Sequence, residues 1–319
     1  MKPKSLLIIG GTGFFGRSIL KYLSNNSFLN VRINKIFILS RGKLELGIYN
    51  KKIKKKFKII KINSDILKIK NLPKVDYVIY LAILKNYNKD HEAVKNYLNL
   101  AKKFHLNSKI LYISSGAIYG KQPKSVSRLK ESYLQLNNKI NFKKGYKKYY
   151  SIVKLKNEKL FQKFAIEGGK VSIARCFSFV GEFLPINSYY VLGDFIKSIL
   201  NNRNLNIKAD YQIIRSYMNE EDLVRWLFNI LNYSNKNCPI FNVGSDNAIS
   251  IHKLANLLAK KYNVNIDYAS ENISQKIFDR YVPDIKKAKK ELNLTNNYSS
   301  LDAIFKTINL LIKNNEKIN

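Results

Sequence analysis

The sequence predicts an α/β fold in which a doubly wound parallel sheet is followed by a smaller C-terminal α/β lobe. Three observations support this prediction. Short apolar runs alternate with helical patterns up to residue 180, as in parallel sheets that helices cover on both faces. A glycine-rich turn joins the first apolar run to the first helical pattern. Beyond Gly181 the alternation loosens, and helical patterns mix with short strand patterns.

The N-terminal part contains apolar runs that we predict to be strands, because each is nearly continuous in apolar residues and has the length of a strand. The runs are SLLIIG (5–10), KIFILS (35–40), FKIIKI (57–62), VDYVIYLA (75–82), KILYISS (109–115) and KVSIARC (170–176). Helical patterns between them cover residues 14–23, 91–104 and 150–164. Two lysine-rich segments, 51–58 and 141–148, are predicted to be exposed connections.

The C-terminal third predicts a second, smaller lobe. Its helical patterns lie at residues 219–231, 250–262 and 299–313, and a short strand pattern lies at 240–244. We expect residues 1–176 to form one domain, with parts of 216–248 threaded back into it. Residues 177–319 are expected to form most of the second lobe.

Lysine and arginine dominate the charge. The chain has 57 basic and 22 acidic residues, which gives a formal net charge of +35. Such a charge suits acidic partners, including nucleic acid. The alternative is a compositional bias that spreads solvated lysines over every face, and we adopt it because the chain is also rich in Asn and Ile. Neither nucleic acid nor a membrane is therefore expected as a partner.

Cysteine and histidine usage predicts no metal site. Cys176, Cys238 and three scattered histidines lack the spacing of metal ligands. No apolar stretch reaches the roughly 20 residues that a membrane span needs, and SLLII (5–9) is too short for the apolar region of a signal peptide. We expect a cytoplasmic location.

The segment IIGGTGFFGRSIL (8–20) predicts a dinucleotide site and hence a Rossmann-like fold. Its glycines recur every third residue, directly after the first strand and at the start of a helix. In such a turn the glycines allow a tight bend, a close approach of the backbone to pyrophosphate and close packing of helix on strand. The helix N-terminus offers N–H groups to the phosphates. The residues assigned to this cofactor loop are Gly10, Gly13, Phe14, Phe15 and Gly16.

The end of the second strand favours NADP(H) over NAD(H). NAD sites place Asp or Glu there to bind the ribose 2′-hydroxyl, but this strand ends with Ser40, Arg41 and Gly42. The planar guanidinium of Arg41 would suit a 2′-phosphate. The alternative interpretation is a solvated arginine on a loop. Ser40 and Arg41 are assigned to the cofactor site.

Ser115, Tyr150 and Lys154 are the candidate catalytic residues. Ser115 ends the fifth predicted strand, at the edge where open α/β sheets bind ligands. Tyr150 and Lys154 are four residues apart and share one face of a predicted helix. To exchange a proton near neutral pH, the pKa of Tyr150 must fall from about 10. A nearby ammonium and a positively charged nicotinamide ring would both lower it.

Motifs in a consistent order along the chain extend these local patterns. GGTGFFG (10–16), SSGAIYG (114–120) and the Tyr150–Lys154 pair resemble the extended short-chain dehydrogenase/reductases, specifically the NAD-dependent epimerase/dehydratase family that acts on nucleotide-linked sugars. Further segments that resemble this family are SDIL (64–67), VDYVIYLA (75–82), ARCFSFVGEFLP (174–185), IIRSYMNEEDLVRWL (213–227), FNVGSDNAISIHKLA (241–255) and YVPDIKKAKKELNL (281–294). The resemblance covers essentially the whole chain.

The resemblance implies roles for individual residues. Tyr150 would be the acid/base, Lys154 would hold the nicotinamide ribose, and Ser115 would hydrogen-bond the reacting sugar oxygen. The other implied contacts are Asp65 and Ile66 at the adenine, Leu81 and Ala82 along the cofactor groove, Cys176 packed beside the cofactor, and Ser178 and Arg215 at the substrate. Many members have asparagine where Ser178 stands, which leaves the substrate open. The resemblance also implies a nucleotide-diphosphate sugar substrate, a substrate-binding role for the C-terminal lobe, and a homodimer built from the helices at 91–104 and 150–164.

The reaction favoured by the sequence is reduction of a 4-keto sugar. The 4,6-dehydratases of the resembled family have an Asp–Glu pair after the catalytic serine or threonine, whereas Gly116 and Ala117 stand here and cannot move protons. Glu131 and Glu182 are possible substitutes, but no pattern brings them to the site. Arg41 favours a reductase over an epimerase. Epimerase, dehydratase and a non-catalytic nucleic-acid-binding member of the fold remain the alternatives.

Overall fold

The computed structural model describes residues 3–27, 31–136, 140–142, 145–186, 190–270 and 274–316. The strands are β1 (Lys4–Ile9), β2 (Ile33–Leu39), β3 (Lys58–Ile62), β4 (Tyr77–Tyr80), β5 (Lys109–Ser115), β6 (Lys170–Cys176), β7 (Phe179–Val180), β8 (Leu205–Ile207), β9 (Tyr211–Ser216), β10 (Met218–Asn219), β11 (Ile240–Val243), β12 (Ala248–Ser250), β13 (Ile266–Tyr268) and β14 (Ser274–Tyr281). The α-helices are α1 (Phe14–Asn25), α2 (Tyr49–Lys56), α3 (Tyr87–Phe104), α4 (Tyr133–Leu136), α5 (Tyr146–Ile166), α6 (Val191–Leu200), α7 (Glu220–Asn232), α8 (Ile251–Tyr262), α9 (Lys286–Leu292) and α10 (Ser300–Glu316). A 3-10 turn follows β5 at Gly116–Tyr119.

A seven-stranded parallel sheet organises the N-terminal part, in the order β11-β6-β5-β4-β1-β2-β3. The predicted α/β fold class is confirmed. The order reverses direction beside β1, because β2 lies on one side of it and β4 on the other. Ligands of doubly wound sheets bind at such a reversal, outside the carboxyl ends of the strands. The loops after β1, β4 and β5 all meet there.

Burial on both faces explains the continuously apolar strands. Leu6 and Ile8 of β1 belong to a core cluster with α1 and α7, whereas Leu7 and Ile9 belong to a second cluster with α3 and α5. Successive residues of a strand point to opposite faces. An apolar residue is therefore needed at each of positions 6–9 of β1.

The prediction of an exposed connection at 51–58 is wrong. Tyr49–Lys56 forms α2, and β3 begins at Lys58. Ile53 is the buried side chain of this helix. Because lysines surround Ile53, the sequence has too few apolar residues to show the periodicity that predicts an amphipathic helix. Helix α5 also begins earlier than predicted, at Tyr146, so the expected connection at 141–148 is shorter. Residues 143–144 of that segment lie outside the described residues.

The C-terminal part has its own apolar core, formed by α6, α8 and α10 with the small sheets. The chain also returns to the large sheet, because β11 pairs with β6 and Phe241 lies opposite Ala174. The proposed division at residue 176, with parts of 216–248 threaded back, stays a prediction that this pairing favours. Across the described part of the chain, every helix is too short or too polar to cross a membrane.

Candidate active site

The glycine loop after β1 fits a dinucleotide. Gly10 has a φ of +85°, and a Cβ there would lie 2.7 Å from the amide nitrogen of Ala82. A Cβ on Gly16 would lie 2.3 Å from the carbonyl oxygen of Gly11. Only glycine permits both close approaches. Around Gly13, by contrast, the sole described atom within 4 Å of such a Cβ is the carbonyl oxygen of Gly10, at 3.8 Å.

The N-terminus of α1 lies behind this loop. Gly13 is its N-cap and supplies no side-chain hydrogen bond, so the first N–H groups of the helix are available to an anion. Phe14 and Phe15 belong to this first turn. The Phe15 ring packs edge-on against Phe179, with 5.1 Å between centroids. We infer that Phe14 and Phe15 would meet the cofactor through their backbone rather than through their rings.

Arg41 and Asp65 form an ion pair at the end of β2. Nη1 of Arg41 lies 3.2 Å from Oδ2 of Asp65, and Oδ1 of Asp65 accepts a hydrogen bond from the Leu67 amide at 3.0 Å. Ser40 is buried and its hydroxyl donates to the Gly42 carbonyl at 3.4 Å. The arginine expected to bind a 2′-phosphate and the aspartate expected to bind adenine are therefore partners of each other.

Two of the remaining predicted cofactor contacts, Leu81 and Ala82, lie beside β1 and its glycine loop. The Leu81 amide donates to the Ile9 carbonyl at 2.8 Å, and Ala82 lies against Gly10. Ile66 is only 5% exposed and packs in the core between the sheet, α3 and α5. Its side chain is therefore committed to the core, and its backbone remains the part that could face a cofactor.

Ser115 and Tyr150 meet at the carboxyl edge of the sheet. The Ser115 hydroxyl accepts a hydrogen bond from the Ala117 amide at 3.1 Å. Burial raises the pKa of Tyr150, and the neighbouring Ser115 side chain lowers that pKa without offsetting the burial. The phenol is therefore held protonated by its protein surroundings.

Lys154 is buried beneath the site. Its Nζ donates to the Ile113 carbonyl at 3.0 Å and lies 5.0 Å from the centroid of the Tyr112 ring. Burial lowers the pKa of Lys154, whereas the charge of Asp90 raises it. The largest influences on the pKa of Tyr150 are burial and Ser115. Lys154, which was expected to lower the pKa of Tyr150, is therefore not one of the two largest influences on it.

Cys176 lies opposite Ser115 in the pairing of β5 with β6. Its thiol is buried, and burial raises its pKa well above the usual range. A thiol of this kind stays neutral and unreactive. The location suits the predicted packing role beside a cofactor.

Two aromatic residues at the site were missed by the sequence interpretation. Tyr281, the last residue of β14, lies close enough to Ser115 for that side chain to lower the pKa of its phenol, which burial raises. Its ring packs against Phe177, with 4.6 Å between centroids. Phe177 also covers Gly116, where a Cβ would lie 2.6 Å from the ring. The YVPD motif indicated that the C-terminal segment belongs to the fold, but nothing local connects Tyr281 to Ser115.

The predicted substrate residues lie nearby with protein partners. Arg215 is opposite Tyr281 in the pairing of β9 with β14, and its Nη2 lies 2.8 Å from Oδ2 of Asp279. Ser178 is partly buried, and its carbonyl accepts a hydrogen bond from the Met218 amide at 3.0 Å. If Arg215 binds a diphosphate, its guanidinium must contact both the diphosphate and Asp279.

Two carboxylates considered as substitutes for a dehydratase pair are occupied elsewhere. Oε1 of Glu131 accepts a hydrogen bond from the Asn242 amide at 2.8 Å. Glu182 accepts from the Tyr49 hydroxyl at 2.9 Å and pairs with Lys21 at 2.7 Å. Within the described ranges, no three His, Cys, Asp or Glu side chains cluster as metal ligands.

A family model described as "NAD dependent epimerase/dehydratase family" matches residues 6–244. The chain belongs to this family. The match covers most of the sequence, from β1 to the turn after β11, and includes Ser115, Tyr150 and Lys154. The protein is therefore an enzyme of an NAD-dependent family, and membership supports a nicotinamide cofactor.

Known members of the epimerase/dehydratase family resemble the chain along nearly its full length. It is 25% identical over 298 residues to UDP-glucuronic acid decarboxylase 1 of Xenopus tropicalis, a match that covers 90% of this chain and 67% of the relative. The structure of UDP-glucose 4-epimerase from Thermotoga maritima with UDP-glucose matches with a TM-score of 0.76 and 20% identity, covering 97% of this chain and 99% of the other. A dTDP-glucose 4,6-dehydratase from Streptomyces venezuelae matches with a TM-score of 0.80 and 16% identity, covering 98% of each chain. These two structural likenesses show the shared fold.

Proposed function

We propose that the protein transfers hydride at a sugar carbon of a nucleotide-diphosphate sugar, and that its reaction is the reduction of a 4-keto group with NADPH. The observation that carries the proposal is the approach of the protonated Tyr150 phenol to Ser115, at the carboxyl end of β5. A ketone reduction needs a proton donor at the carbonyl oxygen, and a protonated phenol is such a donor.

Each residue has one task in this reaction. A bound reduced nicotinamide would supply the hydride to the carbonyl carbon. Tyr150 gives its proton to the carbonyl oxygen, and Ser115 hydrogen-bonds that oxygen. The buried ammonium of Lys154 stabilises the phenolate that remains, through its positive charge. Solvent then restores the Tyr150 proton.

Dehydration is less compatible with these surroundings. Elimination of water needs an acid and a base next to Ser115. Gly116 and Ala117 have no titratable group, and the ring of Phe177 fills the space that a side chain at 116 would need. Glu131 and Glu182 have other partners.

Epimerisation is the second candidate. An epimerase takes up and returns the same hydride, and it usually keeps NAD rather than NADPH. The pairing of Arg41 with Asp65 favours this alternative, because it occupies the arginine that would hold a 2′-phosphate.

The expected homodimer is also part of the proposal. Helices α3 and α5 pack together, and α5 carries two exposed apolar side chains, Tyr149 at 63% and Ile166 at 85% exposure. Light scattering of the purified protein would give the oligomeric state. A substrate-binding C-terminal lobe and a cytoplasmic location complete the proposal.

The deciding experiment follows the cofactor and the sugar together. Purified protein is titrated with NADH and with NADPH by nicotinamide fluorescence, and is then incubated with 4-keto nucleotide sugars, UDP-glucose and UDP-glucuronic acid. Oxidation of one NADPH for each 4-keto sugar reduced is the expected result. Conversion of UDP-glucose without net cofactor change would replace reduction by epimerisation. Binding of neither cofactor, with salt-dependent retention of RNA, would overturn hydride transfer altogether.

A further inference from the structure

We propose that Asp90 is a positioning residue of the active site, whose buried carboxylate joins the β4–α3 loop (81–86) to the catalytic helix α5 through two hydrogen bonds. The proposal deepens the proposed function, because it rests on the cofactor contact at Ala82 and on the catalytic roles of Tyr150 and Lys154.

The Asp90 carboxylate has one partner on each side. Asp90 lies in the first turn of α3 and is only 2% exposed. Its Oδ1 accepts a hydrogen bond from the Leu84 amide at 2.8 Å, and its Oδ2 accepts one from Nδ2 of Asn157 at 3.2 Å. Leu84 lies in the loop, two residues after Ala82, and Asn157 lies on α5, three residues after Lys154. One carboxylate therefore connects the cofactor side of the site to the catalytic side.

Asp90 carries a charge that Lys154 balances. Both oxygens of Asp90 accept hydrogen bonds, as those of an ionised carboxylate do. Burial raises the pKa of Asp90, and the charge of Lys154 is the largest influence that lowers it. Burial lowers the pKa of Lys154, and the charge of Asp90 is the largest influence that raises it. The nearby carboxylate of Glu158 is paired with Arg175 at 2.8 Å. An uncompensated buried charge is strongly destabilising, so Asp90 and Lys154 each favour the charged form of the other.

The hydrogen bonds of Asn157 have a single direction. Asn157 is fully buried, and an ionised Asp90 only accepts, so Asn157 turns its amide nitrogen towards Asp90. Its Oδ1 then faces Nδ1 of His91, at 2.7 Å, and accepts from it. His91 therefore donates to Asn157, and Asn157 donates to Asp90. Reversal of either bond would leave a buried polar group without a partner.

Exchanging the side chains of Asp90 and Asn157 gives a matched test, because the exchange keeps every donor opposite an acceptor. In Asp90→Asn alone two amides face each other, and in Asn157→Asp alone two carboxylates do. In the double variant, the amide at position 90 can accept from Leu84 and donate to the carboxylate at position 157. That carboxylate can still accept from His91. A buried anion also remains near Lys154, on the same helix.

Hydrogen exchange at the Leu84 amide, measured by NMR, tests the link without cofactor or substrate. The proteins are wild type, Asp90→Asn, Asn157→Asp and the double variant. Each single variant should exchange this amide about tenfold faster than wild type, which is the effect of one lost hydrogen bond in a buried network. The double variant should return to within about threefold of wild type. A double variant that exchanges as fast as the faster single variant would overturn the link.

Cofactor affinity separates positioning from a purely structural role. NADH and NADPH are titrated by nicotinamide fluorescence at a temperature where every variant is folded. The dissociation constants should rise about tenfold in each single variant and recover in the double variant, because a displaced loop misplaces the cofactor. Glu92→Gln is the control, since it removes an exposed carboxylate two residues further along α3, and it should change neither measurement.

The two measurements distinguish this proposal from the proposed function. Exchange rates in the expected order, with the same cofactor affinity in every variant, would overturn the positioning role of Asp90. If the wild type binds neither NADH nor NADPH, the proposed function fails, and the exchange rates still decide whether Asp90 links the loop to α5.

Discussion

Arg41 and Asp65 form one ion pair across the cofactor edge of the sheet, with 3.2 Å between Nη1 and Oδ2. The Arg41 side chain is 66% exposed, and exposed pairs contribute at most about 1 kcal/mol. The pair is therefore weak enough for a cofactor phosphate to compete with Asp65. Under the proposed function, cofactor preference would be a competition between the Asp65 carboxylate and the 2′-phosphate for the Arg41 guanidinium.

Arg41→Ala should lower the affinity for NADPH about tenfold and leave the affinity for NADH nearly unchanged, because only NADPH carries a 2′-phosphate. Asp65→Asn should shift the preference towards NADPH by up to about fivefold, because it releases the guanidinium. Fluorescence titration with both cofactors measures these ratios. Lys43→Ala, which removes an exposed neighbouring cation, is the control. If Arg41→Ala lowers the affinities for NADPH and NADH equally, Arg41 does not distinguish the two cofactors by the 2′-phosphate.

Tyr150→Phe should reduce turnover by about 1,000-fold. It removes the proton donor but keeps the ring, so the dissociation constant of the cofactor should change by less than about twofold. Steady-state rates and fluorescence titration measure the two effects. Tyr149→Phe is the control, because the neighbouring phenol is exposed and should be dispensable. Unchanged turnover in Tyr150→Phe would contradict the mechanism.

The rate of ketone reduction should stay flat between about pH 6 and about pH 8, because burial keeps the pKa of Tyr150 above its ordinary value near 10. Reduction uses the protonated phenol, which is present at every pH below that pKa. Oxidation of the alcohol uses the phenolate, so its rate should rise with pH over the same range. Initial rates in both directions test the sign. A reduction rate that falls in this range, with the protein still folded, would assign the proton to another group.

Gly116→Ala should lower both stability and turnover. The added Cβ would lie 2.6 Å from the Phe177 ring, so the ring must move and its packing on Tyr281 must change. Overpacking of this kind costs about 1–3 kcal/mol. Denaturant unfolding and kcat report the two losses. Phe177→Leu combined with Gly116→Ala should recover part of the stability, and a double variant less stable than either single variant would argue against the clash.

Local sequence patterns were sufficient for much of the fold. β5 and β6 begin and end where predicted, at Lys109–Ser115 and Lys170–Cys176, because both are mostly apolar over the length of a strand. Helix α2 was missed because a single buried isoleucine among lysines gives little periodicity. The early start of α5 was missed because its first turn has no acidic residue and no side-chain cap.

The candidate site likewise contains some residues that local sequence patterns predict and others that only the folded chain brings together. The glycine loop, the strand-end serine and the Tyr150–Lys154 spacing are visible within a few residues of chain. Tyr281 is not, since it comes from β14 and approaches Ser115 of β5 only in the folded chain. Local patterns also did not predict the partners of Glu131 and Glu182, which are Asn242 and Lys21 respectively.

Short-range chemistry therefore accounts for the family, the sheet and the presence of a Ser–Tyr–Lys set, because glycine sterics, apolar runs and helical spacing act between neighbouring residues. The tertiary structure decides which polar groups form hydrogen bonds and ion pairs with one another. Arg41 binds Asp65, and Lys154 binds a backbone carbonyl of β5. These pairings depend on distances between residues remote in sequence, and they govern protonation because burial and hydrogen bonds, not residue type alone, place each pKa.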